Sequence, residues 1–282
     1  MDEENREEDF ESFEDSEIDE DIADKYSAED TRNLEKNKID KRRIKKKDQT
    51  SIHLAVDSVF DERTIFLLRK LLDKQIIGEF IGIINAGKEA NVYLAYDKDE
   101  NEIAIKIYKI DSNTSRWMRN YIIGDPRFKK IGRNPAQIIF LWAKKEYKNL
   151  KLAYRAGLSV PRPIYVNKNV LIMEYIGEGA TPAPLLKSLK HLEDPETLFN
   201  VVYDFIKRLY KAGLVHGDLS EFNILLIAQR PVVIDISQGV SVDHPKSDQF
   251  LIRDLKNVFN YFEKYGIKTP KIENAFYEII EN

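Results

Sequence analysis

The stretch Leu214-Val215-His216-Gly217-Asp218-Leu219-Ser220-Glu221-Phe222-Asn223 decides how this sequence is read, because it sets a carboxylate and a carboxamide five residues apart. Two strand-like runs follow, Ile224 to Ile227 and Val232 to Ile236, with a turn between them. Such a hairpin brings Asp235 back beside the loop that holds Asp218 and Asn223. Their separation in sequence is then not a separation in space.

Asp218, Asn223 and Asp235 together suit transfer of a γ-phosphoryl group. That reaction needs a carboxylate near the incoming nucleophile and hard oxygen ligands that hold magnesium against the phosphates, since the protein's work is mainly positioning and charge neutralisation. One magnesium site is expected to join the three side chains.

Upstream of this loop the periodicity changes with position. A helix is expected from Asp61 as N-cap, with Ile65, Leu68, Leu71 and Leu72 at helical spacing. Residues 76–84, 90–96 and 102–109 read as strands of an antiparallel meander, the last two joined by the polar turn Asp97 to Asn101. A polar loop over 111–135 precedes a helix carrying Ile139, Leu141, Trp142, Leu150 and Leu152 and ending near Gly157. Short strands are expected near 164–166 and 170–175, and from Pro184 the pattern is mainly helical. Strands first and helices later indicate an α+β protein, with a sheet-rich amino-terminal lobe over 49–176 and a helical carboxy-terminal lobe over 177–282.

Composition sets the remaining bounds. With 282 residues, of which 43% are hydrophobic, the chain can bury a core of enzyme size. Residues 1–48 are acidic at first and then basic through Lys41-Arg42-Arg43-Ile44-Lys45-Lys46-Lys47, with too little apolar surface to offset ordering entropy, so a solvated tail is expected. The basic run also suits contact with RNA phosphates. There is no cysteine, which excludes disulfides and thiolate metal sites. No signal-peptide pattern and no apolar run of about 20 residues occur, so no membrane association and a cytoplasmic location are expected.

The quoted stretch resembles the catalytic loop of the protein-kinase superfamily, whose signature H-R-D-L-x-x-x-N stands here as His216 to Asn223. Gly217 replaces the arginine that in regulated kinases contacts a phosphorylated activation loop. Asp235-Ile236-Ser237 stands for Asp-Phe-Gly, and no Ala-Pro-Glu follows, so activation-loop control and the usual peptide-docking helices are not expected. Asn85 to Val92 can be laid on the phosphate-covering loop G-x-G-x-x-G-x-V, with Gly87 and Lys88 at its centre. Ala104-Ile105-Lys106 resembles the third-strand lysine motif, which implies that Lys106 pairs with the α- and β-phosphates and that Glu146 orients it. Met173-Glu174-Tyr175-Ile176 resembles an interlobe hinge, where backbone groups of Glu174 and Ile176 would bind adenine. His216 is expected to be structural rather than an acid–base group.

The combination of Gly87-Lys88-Glu89-Ala90-Asn91-Val92-Tyr93, Leu214 to Leu225, Ile234-Asp235-Ile236-Ser237-Gln238-Gly239 and Arg253-Asp254 with Asn257 is similar to the RIO family of atypical serine/threonine kinases, from about residue 50 to 268. The type 1 branch, in its archaeal-like form, is the closer match, because the region before the kinase part is too short and charged for the winged-helix domain of the type 2 branch. The segment 111–135 matches the family's flexible insertion.

The resemblance implies Asp218 as catalytic base, Asn223 and Asp235 as ligands of Mg2+ (with Mn2+ as an alternative), and ATP as the nucleotide. It also implies ATPase behaviour through a phosphoaspartate at Asp235, and a role in maturation of the small ribosomal subunit, with rRNA contact through basic segments. Two other readings suit the motifs. One is a small-molecule phosphotransferase, since aminoglycoside and choline kinases also use His-Gly-Asp followed by Asn. The other is an assembly factor whose ATP site acts as a binding switch with little protein kinase activity.

Overall fold

The computed structural model describes residues 61–128 and 131–281. The charged tail over 1–48 lies outside the described residues. Asp61 accepts a hydrogen bond from Thr64 N at 2.8 Å and so caps helix α1 (Glu62–Asp73) as its short polar side chain predicts. The chain then turns at Gln75, which has φ 58°. Ile76 N and Ile77 N bond back to Leu71 O, so these residues close the helix and the first strand starts only at Glu79.

Strands β1 (Glu79–Ala86), β2 (Ala90–Tyr96) and β3 (Glu102–Tyr108) form the expected antiparallel meander. Strands β4 (Pro163–Asn167) and β5 (Val170–Glu174) add to it in the order β1-β2-β3-β5-β4. Alternation along the strands builds a core on each face of the sheet. Tyr93, Ile103, Ile105 and Ile107 pack with Leu67, Leu68 and Leu71 of α1 on one side. Leu94, Ala104, Leu171 and Met173 face the other side, where Leu150 and Ala153 of helix α3 (Pro135–Arg155) meet them. Lys106 has the parity of Ala104, and this is why its side chain points toward α3 instead of α1.

The segment expected as a polar loop between Asp111 and Pro135 contains a helix, α2 (Ser112–Ile122). Asp111 caps it through Thr114 N at 2.7 Å. Its run Ser112-Asn113-Thr114-Ser115 reads as loop, but Met118 and Ile122, four residues apart, are fully buried, and the Trp117 and Tyr121 rings meet Trp142 at 5.3 and 6.1 Å. Tertiary packing of these apolar positions outweighs the weak propensity of the polar first turn.

Beyond the short ribbon β6 (Gly177–Glu178) and β7 (Thr181–Pro182), helix α4 (Pro195–Lys211) leads into β8 (Leu214–Val215) and the quoted loop. The hairpin is formed by β9 (Ile224–Ile227) and β10 (Arg230–Val233), turning at Ala228 and Gln229, both at positive φ. Ile234 N donates to Asn223 O at 2.9 Å, which places Asp235 next to the loop as the spacing predicts. Strand β11 (Val240–Ser241) pairs with β8, and helices α5 (Ser247–Glu263) and α6 (Ile272–Ile280) complete the helical part. The described residues belong to one compact unit in which the core under β5 and α3 runs on into Phe199, Val202, Phe259 and Phe262 of α4 and α5.

Leu150 is fully buried where the sheet, α3 and that second core meet. Leu150→Ala is expected to lower the unfolding free energy by about 2–5 kcal/mol, read as a shifted midpoint in urea titration.

Candidate active site

Lys106 on β3 is buried, and its Nζ lies 2.8 Å from Glu146 Oε1 on α3 and 2.8 Å from Asp235 Oδ1 after β10. One ammonium thus joins three elements that are distant in the chain. Burial disfavours the charge on Lys106, but the Asp235 and Glu146 carboxylates outweigh it and raise the ammonium's pKa. Glu146 is fully buried, and this desolvation pushes its carboxyl up to about 7 against the pull of Lys106. Its Oε2 accepts a short hydrogen bond from Tyr108 OH. Asp235 shows the opposite balance. Desolvation raises it, yet Lys106 and a 2.8 Å bond from Ser237 Oγ hold it below the usual carboxylate range, and its side chain is still 43% exposed.

Asp235 adopts φ 55°, ψ 58°, the left-handed region, at a cost of about 1–2 kcal/mol for a residue with a Cβ. Glycine also matters at 217, where φ is 76° and a Cβ would lie 3.2 Å from Gln238 O. The loop around it is fixed from below, where the buried Asp254 of α5 accepts from Gly217 N at 2.7 Å and Leu219 N at 2.8 Å, and Asn257 Nδ2 donates to Leu219 O at 3.2 Å. Asp254 and Asn257 were visible in the sequence as a motif, but without the fold nothing assigned them this task.

Asp218 is half-buried. Its backbone carbonyl accepts from Asn223 Nδ2 at 2.9 Å and its Oδ2 from Gln238 Nε2 at 2.8 Å. Burial raises its pKa, Arg253 opposes this and Asp235 adds to it. A raised carboxylate held at one oxygen is suited to take a proton at the other. Gln238 was not singled out from sequence, because its position after Asp235 has no recognisable chemistry until the turn folds back. His216 is buried, burial pulls its pKa down to about 4, and its Nδ1 accepts from Asp218 N at 3.3 Å. A neutral ring bonded to the backbone fits the structural role expected for it.

The β1–β2 turn carries Gly87 and Lys88. Gly87 N bonds Ala90 O at 3.0 Å, Lys109 Nζ holds Gly87 O at 2.7 Å, and a Cβ at Gly87 would approach Ala90 O to 2.8 Å. Lys88 is exposed on the same turn. Glu89 beside it is pushed up to about 6, by burial first and then by Asp235, with Lys106 opposing and Asp218 adding. At the other end, Glu174 N donates to Arg162 O at 2.8 Å and Ala183 N donates to Ile176 O at 3.0 Å, which fixes the backbone where the two lobes join.

The donor set fits magnesium. Asn223 uses its Nδ2 on Asp218 O, so the amide oxygen is its acceptor, and the exposed part of Asp235 supplies a carboxylate. Among the described residues no cluster of three Asp, Glu, His or Cys side chains is gathered for a metal. Two oxygen ligands match an ion that keeps waters and takes phosphate oxygens rather than a full protein cage.

Residues 91–275 match the RIO domain family. The chain is 41% identical over 254 residues to the RIO-type serine/threonine-protein kinase Rio1 of Haloferax volcanii, covering 90% of this chain and 85% of that protein. It is also 41% identical over 211 residues to the protein of the same name from Methanocaldococcus jannaschii, covering 74% and 72%. Among solved structures, the Rio2 kinase-ADP/Mg2+-phosphoaspartate complex from Chaetomium thermophilum superposes with a TM-score of 0.58 at 24% identity, over 76% of this chain and 66% of that one, which shows a shared fold.

Removing the central ammonium leaves Glu146 buried without its cation, so its carboxyl, already at about 7, rises further. A carboxyl whose folded pKa exceeds its unfolded value of 4.5 loses stability as pH rises between the two. Lys106→Met is therefore expected to lower the thermal midpoint more at pH 8 than at pH 6, measured against the parent protein at each pH.

Proposed function

Since this chain belongs to the type 1 branch of the RIO family of serine/threonine-protein kinases, we propose that it transfers the γ-phosphoryl group of ATP, with Asp218 as base and Asn223 and Asp235 as ligands of magnesium. The observation that carries this reading is the Lys106 Nζ placed 2.8 Å from both Glu146 and Asp235, beside an Asp218 whose carboxylate is held by Gln238. Lys106 meets the α- and β-phosphates, and Glu146 keeps it aimed. The turn with Gly87 and Lys88 covers the phosphates from above, while backbone groups of Glu174 and Ile176 receive the adenine. Asp218 takes the proton of the acceptor hydroxyl through the oxygen that Gln238 leaves open. Asn223 and Asp235 would hold magnesium, or manganese in its place, which when bound would supply neutralisation of the phosphate charge.

A second acceptor is favoured by Asp235 itself. It is held ionised by Lys106, and its side chain is partly exposed, which suits a nucleophile. Attack by its carboxylate on the γ-phosphorus forms an aspartyl phosphate as ADP leaves, and water then releases phosphate. The solved Rio2 structure from Chaetomium thermophilum, of the same fold, is a complex with ADP, Mg2+ and phosphoaspartate, which supports this reading. ATP turnover then acts as a switch, and the partner we propose is the maturing small ribosomal subunit in the cytoplasm, met through basic segments that include Arg116. The lobes are assigned to 49–176 and 177–282, with 1–48 as a tail and 111–135 as the family's insertion, whose Ser112–Ile122 part is helical.

Asp218→Ala is expected to cut transfer to a protein hydroxyl by about 100-fold or more while ATP binding persists. Near-normal transfer in that variant removes Asp218 as base. Labelling with γ-labelled ATP separates the two acceptors, because an aspartyl phosphate is lost in hydroxylamine and a seryl phosphate is not. A label that resists hydroxylamine and survives in Asp235→Ala excludes the phosphoaspartate.

A further inference from the structure

The residues that follow the left-handed Asp235 are gripped by one face of α3. Lys145 Nζ donates to Ser237 O at 2.8 Å and, more closely, to Gly239 O. Asn149 Nδ2 donates to Ile236 O at 2.9 Å and to Gly239 O at 2.8 Å. Both side chains are fully buried. Positions 145 and 149 lie one helical turn apart, and Glu146 beside them holds Lys106, so a single turn of α3 fixes both the cation of the site and the backbone after Asp235. At Gly239 a Cβ would stand 3.0 Å from Asn149 Nδ2 and 3.0 Å from Ile236 O, so the close approach favours glycine.

The amide of Asn149 is itself oriented from outside. Arg127 Nη1 donates to Asn149 Oδ1 at 2.7 Å, while its Nε and Nη2 bond the two oxygens of the buried Asp125 at 2.8 and 2.6 Å. With its oxygen taken by a guanidinium, Asn149 can present only N–H groups to the carbonyls of 236 and 239. Arg127 and Asp125 lie just past α2, in the segment whose sequence reads as loop.

We infer that Lys145 and Asn149 are positioning residues for Asp235, and that Arg127 is the pin that orients Asn149, so that the metal-ligand turn is set by α3 and the segment following α2. This rests on the assignment of Asp235 to magnesium. A merely structural clamp would weaken nucleotide binding alike with and without the metal. A positioning clamp acts on the increment that the metal adds.

The full chain is titrated calorimetrically with ADP, with and without Mg2+, and its thermal unfolding is followed in parallel. In Asn149→Ala and Arg127→Ala, metal-free ADP affinity is expected to match the parent protein. The gain in affinity on adding Mg2+ should fall by about 10- to 100-fold, the usual loss when a group supporting a metal ligand is removed. Should Asn149→Ala fail to fold, Arg127→Ala at its half-buried position decides alone. A parental Mg2+ gain in these variants, or equal loss with and without the metal, overturns the inference. Asp235→Asn separates the underlying assignment. If it keeps the gain, the metal role of Asp235 is wrong; if it loses the gain while the clamp variants keep it, only the clamp is wrong.

Discussion

The Lys106 ammonium between the Glu146 and Asp235 carboxylates is the constraint on which the rest of the site depends. It can form only if β3, α3 and the end of the β9–β10 hairpin converge to within a hydrogen bond of one atom. Each element brings its own requirement. β3 must present residue 106 on the α3 face of the sheet, α3 must run far enough to place Glu146 over it, and the hairpin must turn in register so that residue 235 returns beside Asn223. A one-residue slip of β3 would send Lys106 into the α1 core.

Two anions and one cation at this depth would be a poor arrangement for stability alone, since desolvation costs several kcal/mol per ion. Glu146 is fully buried and bears the greater part of that cost, which Tyr108 OH and Lys106 offset. Asp235 keeps an exposed flank and a depressed pKa, so its charge remains usable. The asymmetry divides the labour. The buried carboxylate aims the lysine, and the exposed one keeps a charged flank that the lysine does not cover.

Much of this was legible in the sequence because it depends on local period and short spacing. The strand alternation through 90–108 fixes which face Lys106 occupies, and the apolar runs around Ala228 and Gln229 fix the hairpin that returns Asp235. The catalytic loop could be quoted whole. What escaped was whatever depends on long-range packing. Helix α2 was hidden by its polar first turn, since only contact with Trp142 reveals Met118 and Ile122 as core. Gln238 on Asp218, Asp254 under Gly217, and Lys145 and Asn149 behind Ser237 and Gly239 are single polar side chains whose meaning lies in partners 20 to 94 residues away.

The same packing accounts for the missing arginine in the catalytic loop. With φ at 76° and Gln238 O 3.2 Å from where its Cβ would be, a side chain at position 217 would be strained in its backbone and tight against its neighbour. Positive charge near Asp218 comes instead from Arg253 of α5, whose Nη2 lies 3.9 Å from that Cβ position and whose charge pulls the Asp218 pKa down against burial. Arg253 stacks on Phe250 at 4.9 Å, and Phe250 stacks on Tyr121 of α2 at 5.3 Å. A guanidinium held this way is carried by a helix interior to the fold and needs no phosphate to place it. Here the guanidinium near Asp218, the turn after Asp235 and the segment after β3 are parts of one packed body.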